Sequence, residues 1–580
     1  MMEATKRARE ESAVADDWSE LVSKTRWGAA GQARQQGRPD GRGGEEMEVG
    51  MTECLAVACE EPKMRVQYYD SRTGEPLDER KVQEARNEEM KELERRVYVT
   101  VDVSECWEKT GKGPVGARWV GARKGEGIYR SRLVAKDFRK KSRGDDMETL
   151  YAAMPPLELV KVLFVEAAAV GKKVMLLDIG KAHLYAPVEG EVFVELPPEK
   201  QEYGKCAKLL YTLYGMRSAA SNWEREYSNT LKEIGFEVGK ANACAFWHPG
   251  KRVSIVVHGD DFVVAGSEND LMYVREALEK KYPVKMRALL GPEQSDHKEA
   301  DILNRRVYWT SSGVEFEADP SHVEKVLEEM GMEDCNPGVV PGSHKDEPVE
   351  GELNREEAWR YRSVVARANY LAQDRPDIRY SVKELCRKMS KPDLGDWKAL
   401  KKLCRYLRGR PRERQRARPD RGDIGVLDVY VDSDWAGCRE TRRSTNGGVL
   451  MVRGMCLKVW SSTQTVVARS SGEAECYAAV KGASEAIGFQ SGCKDLGIDL
   501  KIRLLSDSSA CRGICTRSGV GKVKHMAVQL LWLQDVVRSG VVQLRAVRGD
   551  VNVADLMTKF VSRPVLDGHM QRLGFAPALV

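Results

Sequence analysis

A chain of 580 residues that is 42% hydrophobic is long enough for several domains and apolar enough to bury real cores, which excludes a wholly disordered protein. Its 93 basic and 88 acidic side chains leave a formal charge of +5, an excess that permits a nucleic-acid partner without demanding one. No apolar run reaches the ~18–20 residues of a membrane span, since Leu163 to Val170 is interrupted by Glu166 and stopped by Gly171; no membrane partner is expected.

Residues 1–80 carry little apolar periodicity, and Gly31 to Gly50 is dominated by Gly, Arg, Gln and Glu. Such a composition buries too little surface to offset ordering entropy, so the stretch reads as a disordered, solvated leader. Lys81 to Arg96 then reads as a charged helix, followed by strand-rich stretches at Val97–Val103 and Ala117–Ala122. Leu157 to Val170 reads as an amphipathic helix, with Glu158, Lys161 and Glu166 on one side of the wheel. Gly171 stops it, and Val174–Leu177 follows as a buried strand ending on Asp178. Two short apolar runs, Ser254–Val257 and Phe262–Ala265, flank His258-Gly259-Asp260-Asp261; this is the pattern of a hairpin with adjacent carboxylates at its tip.

Trp359 to Leu407 reads as helical, with breaks at Pro376 and Pro392. The tract from Pro411 to Asp423 holds arginines at 412, 414, 416, 418 and 421 and two prolines, which reads as a basic linker, either solvated or following a phosphate backbone. Beyond it, strands are expected at 426–431, 448–452 and 456–461, then a helix near 473–489. A strand at 502–506, a short helix, a helix at 526–537 and a strand at 541–547 lead into a last helix. That order implies an α/β layer with one mixed sheet. The 14 cysteines, Cys54 to Cys515, form no disulfide framework and suit a reducing intracellular compartment; Cys511 and Cys515 lack a partner pair at zinc spacing.

The carboxylates carry the chemistry. Phosphodiester chemistry with two Mg²⁺ (or Mn²⁺) ions ~3.5–4 Å apart needs several carboxylates converging on one point. Asp178 at a strand end, with Asp260 and Asp261 between apolar strands, is such a set, because adjacent like charges there are costly without a cation. A second set repeats the logic: Asp432 ends a strand, Glu475 sits in the first helix of the block, Asp507 ends another strand, and Asp555 begins the last helix. Singly, Asp507 reads as a helix N-cap and Asp555 as a first-turn acid. Together they sit where a two-metal nuclease of ribonuclease H type needs them. Asp434 and Glu473 read as supporting or exposed neighbours. The two sets fall in separate blocks joined by the linker.

At these residues, over roughly 85 to 562, the chain resembles the copia-type LTR retrotransposon Pol polyprotein in its reverse transcriptase and ribonuclease H region. The resemblance rests on ordered segments: Ala117-Arg-Trp-Val120 with Arg130-Ser-Arg-Leu-Val-Ala-Lys136, Leu176 to Tyr185, and Leu213-Tyr-Gly-Met-Arg-Ser-Ala219. It continues through Tyr361-Arg-Ser-Val364, Arg375-Pro-Asp-Ile378, Asp432-Ser-Asp-Trp-Ala-Gly437, Ser470-Ser-Gly-Glu-Ala-Glu475 and Ala554-Asp-Leu-Met-Thr-Lys559.

The resemblance implies a multidomain α+β and α/β fold, with right-hand polymerase fingers and palm over 85–345 and a helical connection with the basic linker over 346–424. A ribonuclease H-like domain (425–562) and a tail (563–580) would follow. It implies an RNA-directed DNA polymerase with a tethered ribonuclease H, whose partners are an RNA template, a DNA primer, an RNA–DNA hybrid and deoxynucleoside triphosphates, in a monomer or a homo- or hetero-oligomer. An intracellular setting, a cytoplasmic particle or the nucleus, follows from the same comparison. Asp178, Asp260 and Asp261 would bind the polymerase metals, and Asp432, Glu475, Asp507 and Asp555 the nuclease metals. Arg132 and Lys136 would reach the triphosphate.

The family's usual Phe or Tyr is His183 here, its Gln is Ser218, and its Val-Asp-Asp is Gly259-Asp-Asp; these departures bear on nucleotide choice, not on metal ligands. Either His183 or Tyr185 would be the sugar gate. No Asp-Ser/Thr-Gly protease motif, zinc knuckle or integrase zinc site is found, which reads as a truncated or separately expressed copy. A catalytically decayed relic that only binds nucleic acid, or a nuclease alone, remain the rival readings.

Overall fold

The computed structural model describes residues 67–125, 127–137, 151–343, 351–417, 423, 425–519 and 528–578. Residues 1–66 of the expected leader lie outside these. Its last stretch is a correction: Tyr68–Tyr69 pairs with Pro76–Leu77, and helix α1 (Glu79–Glu92) opens at Asp78, whose carboxylate accepts the Lys81 N–H at 2.9 Å. A hairpin, Ala117–Arg123 with Tyr129–Ala135, and a small sheet of Tyr98–Asp102, Lys205–Leu209 and Phe193–Val194 complete this N-terminal lobe. Leu93, Val97, Leu133, Leu184 and Leu213 form its core.

Helix α2 (Leu157–Ala169), strand β1 (Lys173–Ile179), helix α3 (Ala219–Glu233) and strands β2 (Ala245–His248), β3 (Val253–His258), β4 (Asp261–Gly266) and β5 (Val284–Leu290) build the central layer. The strands lie in the order β5-β1-β4-β3-β2, with Glu237–Val238 at the edge, and every pair is antiparallel. The apolar runs on either side of the paired aspartates are buried on both faces of this sheet, which is why they read as near-continuous Val and Ile.

The polar side of α2 does not face water. Lys161 is 2% exposed and bonds Asp374 at 2.9 Å, Glu158 meets Lys458 at 2.7 Å, and Glu166 meets Arg453 at 2.9 Å. The periodicity was a true helix signal, but the charged stripe is matched by partners about 200 to 300 residues away in sequence.

Strand β6 (Gly313–Ala318) leads toward three helices, α4 (Arg355–Leu371), α5 (Pro376–Cys386) and α6 (Leu394–Gly409). Pro376 opens α5 at a position where its missing N–H costs nothing, and just after Pro392 a reciprocal Asp393/Asp396 cap starts α6. The expected linker is corrected next. Glu413–Arg416 is strand β7, paired with β6 on one side and Phe575–Pro577 on the other. Its charge misled the compositional reading: Arg412 bonds Glu317 at 2.5 Å, Arg414 and Arg416 reach Glu315 at 3.4 and 3.0 Å, and both glutamates are buried. Arg418 and Arg421 lie outside the described residues. The expected tail likewise folds, as helix Arg563–Arg572 and the strand that pairs with β7.

Strands β8 (Val426–Asp434), β9 (Thr445–Val452) and β10 (Met455–Thr463), helix α7 (Ser471–Lys494), strand β11 (Lys501–Ser506), helices α8 (Ser509–Thr516) and α9 (Val528–Arg538) and strand β12 (Val542–Ala546) form the C-terminal layer. Its order is β10-β9-β8-β11-β12, antiparallel through the first three strands and parallel from β8 to β12, the mixed sheet expected from the sequence. One apolar cluster runs from Leu163 on α2 and Val263 on β4 to Val429, Ala483 and Phe489. The two blocks therefore share a core. No helix among the described residues is long and apolar enough to cross a membrane.

Candidate active site

Strand pairing sets the first group of carboxylates. Asp178, the sixth residue of β1, lies directly opposite Asp261, the first residue of β4, and Lys285 of β5 faces Asp178 from the other side. Asp260 occupies the two-residue turn between β3 and β4 with Gly259, whose φ of +65° would strain the β-branched residue usual at that point. Trp223 on α3 anchors the turn: its indole N–H donates to the Gly259 carbonyl at 2.8 Å. The Asp260 carbonyl accepts the Ile179 N–H at 3.0 Å.

Arg287 donates to Asp261 at 2.8 Å, a partner that sequence reasoning missed because a bulge between Met286 and Ala288 brings it there. Burial raises the Asp261 carboxyl above its usual range, Asp260 and Asp178 push the same way, and Arg287 opposes them.

Of the expected nucleotide contacts, His183 and Arg132 meet around one tyrosine ring. His183 stands in the turn after β1, 5.9 Å edge-on from the Tyr214 ring, and the Arg132 guanidinium stacks on Tyr214 at 4.6 Å. Burial holds the His183 imidazole below its ordinary range against the pull of the Ala219 carbonyl and Asp260. Its ring nitrogen Nδ1 lies 3.3 Å from the Ala219 carbonyl oxygen. Tyr185 points elsewhere, with Arg96 stacked 3.7 Å from its ring and Tyr282 edge-on at 5.7 Å. Ser218 precedes α3 and lines a cavity of about 250 Å³ with Ala135, Asp137, Phe193 and Met216. Lys136 is exposed at the end of its hairpin, and its backbone N–H bonds the Gly116 carbonyl at 2.7 Å. Gly215 must be glycine: its φ is +82°, and a Cβ would stand 2.4 Å from the Ala135 carbonyl.

The second group converges more tightly. Asp432 on β8, Glu475 on α7 and Asp507 just after β11 each offer an oxygen, and these oxygens lie within 4.8 Å of one another. Asp555 joins from a short 3₁₀ segment, Val553–Met557, rather than from the start of a long helix. Thr558 donates its hydroxyl to Asp432, and Lys559 pairs with Asp555 at 2.9 Å. Both supports sit inside a motif that the sequence displayed, yet their partners are more than 100 residues away or one helical turn back.

Burial, then Asp432 and Asp507, pushes the Glu475 carboxyl up to about 9, and its Oε2 is buried without a hydrogen-bond partner. Burial and Asp555 raise Asp432 as well. Asp434 and Glu473 are structural: Asp434 accepts the Thr445 N–H, and buried Glu473 accepts the Arg469 N–H at 2.9 Å. An orphaned carboxylate oxygen amid three other acids, all hard oxygen donors, fits a divalent cation such as Mg²⁺.

Residues 100–344 match the family model described as "Reverse transcriptase (RNA-dependent DNA polymerase)". The chain is 26% identical over 515 residues to the retrovirus-related Pol polyprotein from transposon TNT 1-94 of Nicotiana tabacum, covering 84% of this chain and 37% of that protein. With the corresponding polyprotein from transposon RE1 of Arabidopsis thaliana it shares 27% over 488 residues, 79% of this chain and 32% of that one. An uncharacterized mitochondrial protein of Arabidopsis thaliana, AtMg00810, is 31% identical over 233 residues, which is 40% of this chain and 92% of the relative. The chain thus spans about a third of the length of the polyproteins it matches. With the reverse transcriptase segment covering the first carboxylate set and the transposon relatives extending through most of the chain, this protein belongs to the copia-type retrotransposon Pol polyproteins.

Proposed function

We propose that this chain is an RNA-directed DNA polymerase with a tethered ribonuclease H that cleaves the RNA strand of RNA–DNA hybrids. The observation that carries the reading is the presence of two separate carboxylate sets, Asp178/Asp260/Asp261 and Asp432/Glu475/Asp507/Asp555, each built on the end of a buried sheet. The strand order β10-β9-β8-β11-β12, with acids at the ends of β8 and β11, supports the nuclease half. The reverse transcriptase match over 100–344 supports the polymerase half.

Under this reading Asp178, Asp260 and Asp261 hold Mg²⁺ or Mn²⁺ in one site, and Asp432, Glu475, Asp507 and Asp555 hold it in the other. Such ions would supply Lewis-acid activation of the attacking oxygen and charge stabilisation of the leaving one. The protein's own groups position these ligands. Trp223 fixes the turn that carries Asp260, and Arg287 orients Asp261. Thr558 orients Asp432, and Lys559 offsets charge on Asp555. The fingers residue Arg132, stacked on Tyr214, would face the deoxynucleoside triphosphate together with Lys136 and Ser218, and His183, edge-on to the same ring, would lie beneath the sugar. The RNA template, DNA primer and hybrid are held mainly through backbone and 2′-hydroxyl contacts.

The decisive experiment supplies purified full chain with a primed RNA template and labelled deoxynucleotides, and separately with a hybrid labelled in its RNA strand. Extension and RNA cleavage, both lost in chelator, are expected. Hybrid binding with neither activity overturns the reading in favour of a decayed relic, and cleavage without extension in favour of a nuclease alone.

A further inference from the structure

Cys511 and Cys515, unremarkable in sequence, acquire a third partner in the fold. They lie one turn apart on α8, so their side chains share a face, and their sulfurs are 3.8 Å apart. Across the packed helices, Cys476 on α7 brings its sulfur to within 4.8 Å of both. All three are at most 1% exposed. The site is rigidly walled: Ser508 caps α8 by accepting the Cys511 N–H at 3.2 Å, and Gln534 of α9 ties the end of α8 by donating to the Ile514 carbonyl at 2.8 Å. Leu504, Leu530 and Leu533 belong to the surrounding apolar core.

Buried cysteines commonly serve as small apolar side chains. That role explains one cysteine, or one pair at helical spacing. It does not explain three sulfurs that converge from two helices. We infer that Cys476, Cys511 and Cys515 form a three-sulfur site for a soft monovalent d¹⁰ cation of the Cu(I) class.

The ligand class follows from the donor set. Thiolates select soft ions, whereas Zn²⁺ takes four ligands in structural sites. Among the described residues no fourth His, Cys, Asp or Glu joins the three sulfurs. Three donors enclosed in apolar packing therefore suit a three-coordinate ion. Charge bears on the protonation of the donors, not on the choice of ion. Two sulfurs binding as thiolates, each releasing its proton to solvent, with the third as a neutral thiol, leave one net negative charge around a monovalent ion; a set of three thiolates would leave two. Less buried charge costs less. The site is chemically orthogonal to the carboxylates next door: Glu475 precedes Cys476 in the chain, yet its oxygens suit hard ions and the sulfurs soft ones. A bound ion would also link α7 to α8, the helices that follow β10 and β11, and so stiffen the wall behind the nuclease acids.

The test loads full-length protein anaerobically with one equivalent of Cu(I) and dialyses it against a competing Cu(I) chelator. About one ion per chain should be retained, and X-ray absorption should show a shell of three sulfurs with no lighter donor. Cys476→Ser, Cys511→Ser and Cys515→Ser should each weaken retention by at least ~10-fold, the scale at which even outer partners of a metal site act. Cys404→Ser, at a buried cysteine elsewhere, should not. No retention by the wild type, a nitrogen or oxygen shell, or equal retention by the three variants overturns the proposal. Should a serine variant fail to fold, the wild-type absorption spectrum decides alone: a two-sulfur or mixed shell refutes the site.

Discussion

The Asp495 carboxylate, immediately after α7, accepts the backbone N–H of Asn242 at 2.9 Å. It also takes the N–H of Lys240 at 2.9 Å and of Ala241 at 2.8 Å, so one side chain of the C-terminal layer satisfies three successive amides of a loop on the central sheet. Gly239 closes the arrangement, because a Cβ there would stand 2.6 Å from the same carboxylate. Beside it the Ser254 hydroxyl donates to the Leu496 carbonyl at 2.8 Å. The central and C-terminal layers are thus docked by specific polar contacts as well as by the shared core.

Asp495→Ala removes all three acceptor contacts and should destabilise the protein by roughly 1–3 kcal/mol, the cost of losing hydrogen bonds to a charged group. Asp495→Asn, with one acceptor oxygen, should fall between. Chemical denaturation of both variants checks this; an Ala variant as stable as wild type would show that the loop amides are equally satisfied by water.

The two activities should separate by mutation even though the core is continuous. Asp178→Asn and Asp260→Asn should each abolish DNA synthesis and spare hybrid cleavage. Asp432→Asn and Glu475→Gln should do the reverse. The isosteric replacements leave packing intact, so equal loss of cleavage in a folded Asp260→Asn protein would contradict the two-site reading.

Glu475 makes stability depend on pH. Its folded-state pKa of about 9 lies above the ordinary value of 4.5, chiefly because of burial. The folded state therefore binds the proton more tightly than the unfolded state. Its contribution to stability is full below pH ~4.5 and is lost as pH rises toward ~9. In chelator, the melting temperature should fall across that window, and Glu475→Gln should flatten the fall. Adding Mg²⁺ near neutral pH should restore stability in the wild type, since an ion that binds only the folded state stabilises it. A melting temperature that rises with pH over this range in the wild type but not in Glu475→Gln would reverse the sign and refute the assignment.

Replacing Arg412, Arg414 and Arg416 should leave the salt dependence of hybrid binding unchanged, because these guanidiniums are engaged by Glu315 and Glu317. The same change should instead cost stability, on the order of 2–3 kcal/mol, since Glu317 would be left buried with no cationic partner, keeping only the Tyr308 hydroxyl at 3.1 Å. Binding titrations over a salt series, with melting curves, distinguish the outcomes; a flattened slope would mean that the strand also contacts phosphate.

His183 lies with Tyr214 and Arg132, whereas Tyr185 packs on Arg96 and Tyr282, so sugar selection is expected at position 183. Imidazole is smaller than phenyl and bonds to hydroxyl groups, which weakens a purely steric filter. His183→Phe should sharpen the preference for deoxynucleotides, and His183→Ala should relax it. Single-nucleotide incorporation decides: discrimination unchanged in both variants but collapsed in Tyr185→Ala would move the gate to Tyr185.

Much of this protein was legible in its residues alone. Strand and helix periods located α2, β1, the β3–β4 hairpin and the mixed C-terminal sheet, because burial imposes apolar patterns of period 2 and 3.6. The acids at strand ends and in the hairpin turn stood out for the same reason: charge bordering apolar runs is rare unless something neutralises it. What one dimension could not carry was the identity of distant partners. Arg412, Arg414 and Arg416 have the composition of a linker, and only the strand register that sets Arg414 and Arg416 opposite Glu317 and Glu315, with Arg412 reaching Glu317 from beside it, makes them structural. The charged face of α2 gave no sign that Asp374, Lys458 and Arg453 would meet it. Cys476 had no spacing relation to Cys511 and Cys515 until helix packing joined them. Local periodicity follows from each segment's own chemistry, but a pairing across hundreds of residues exists only once the chain has closed on itself.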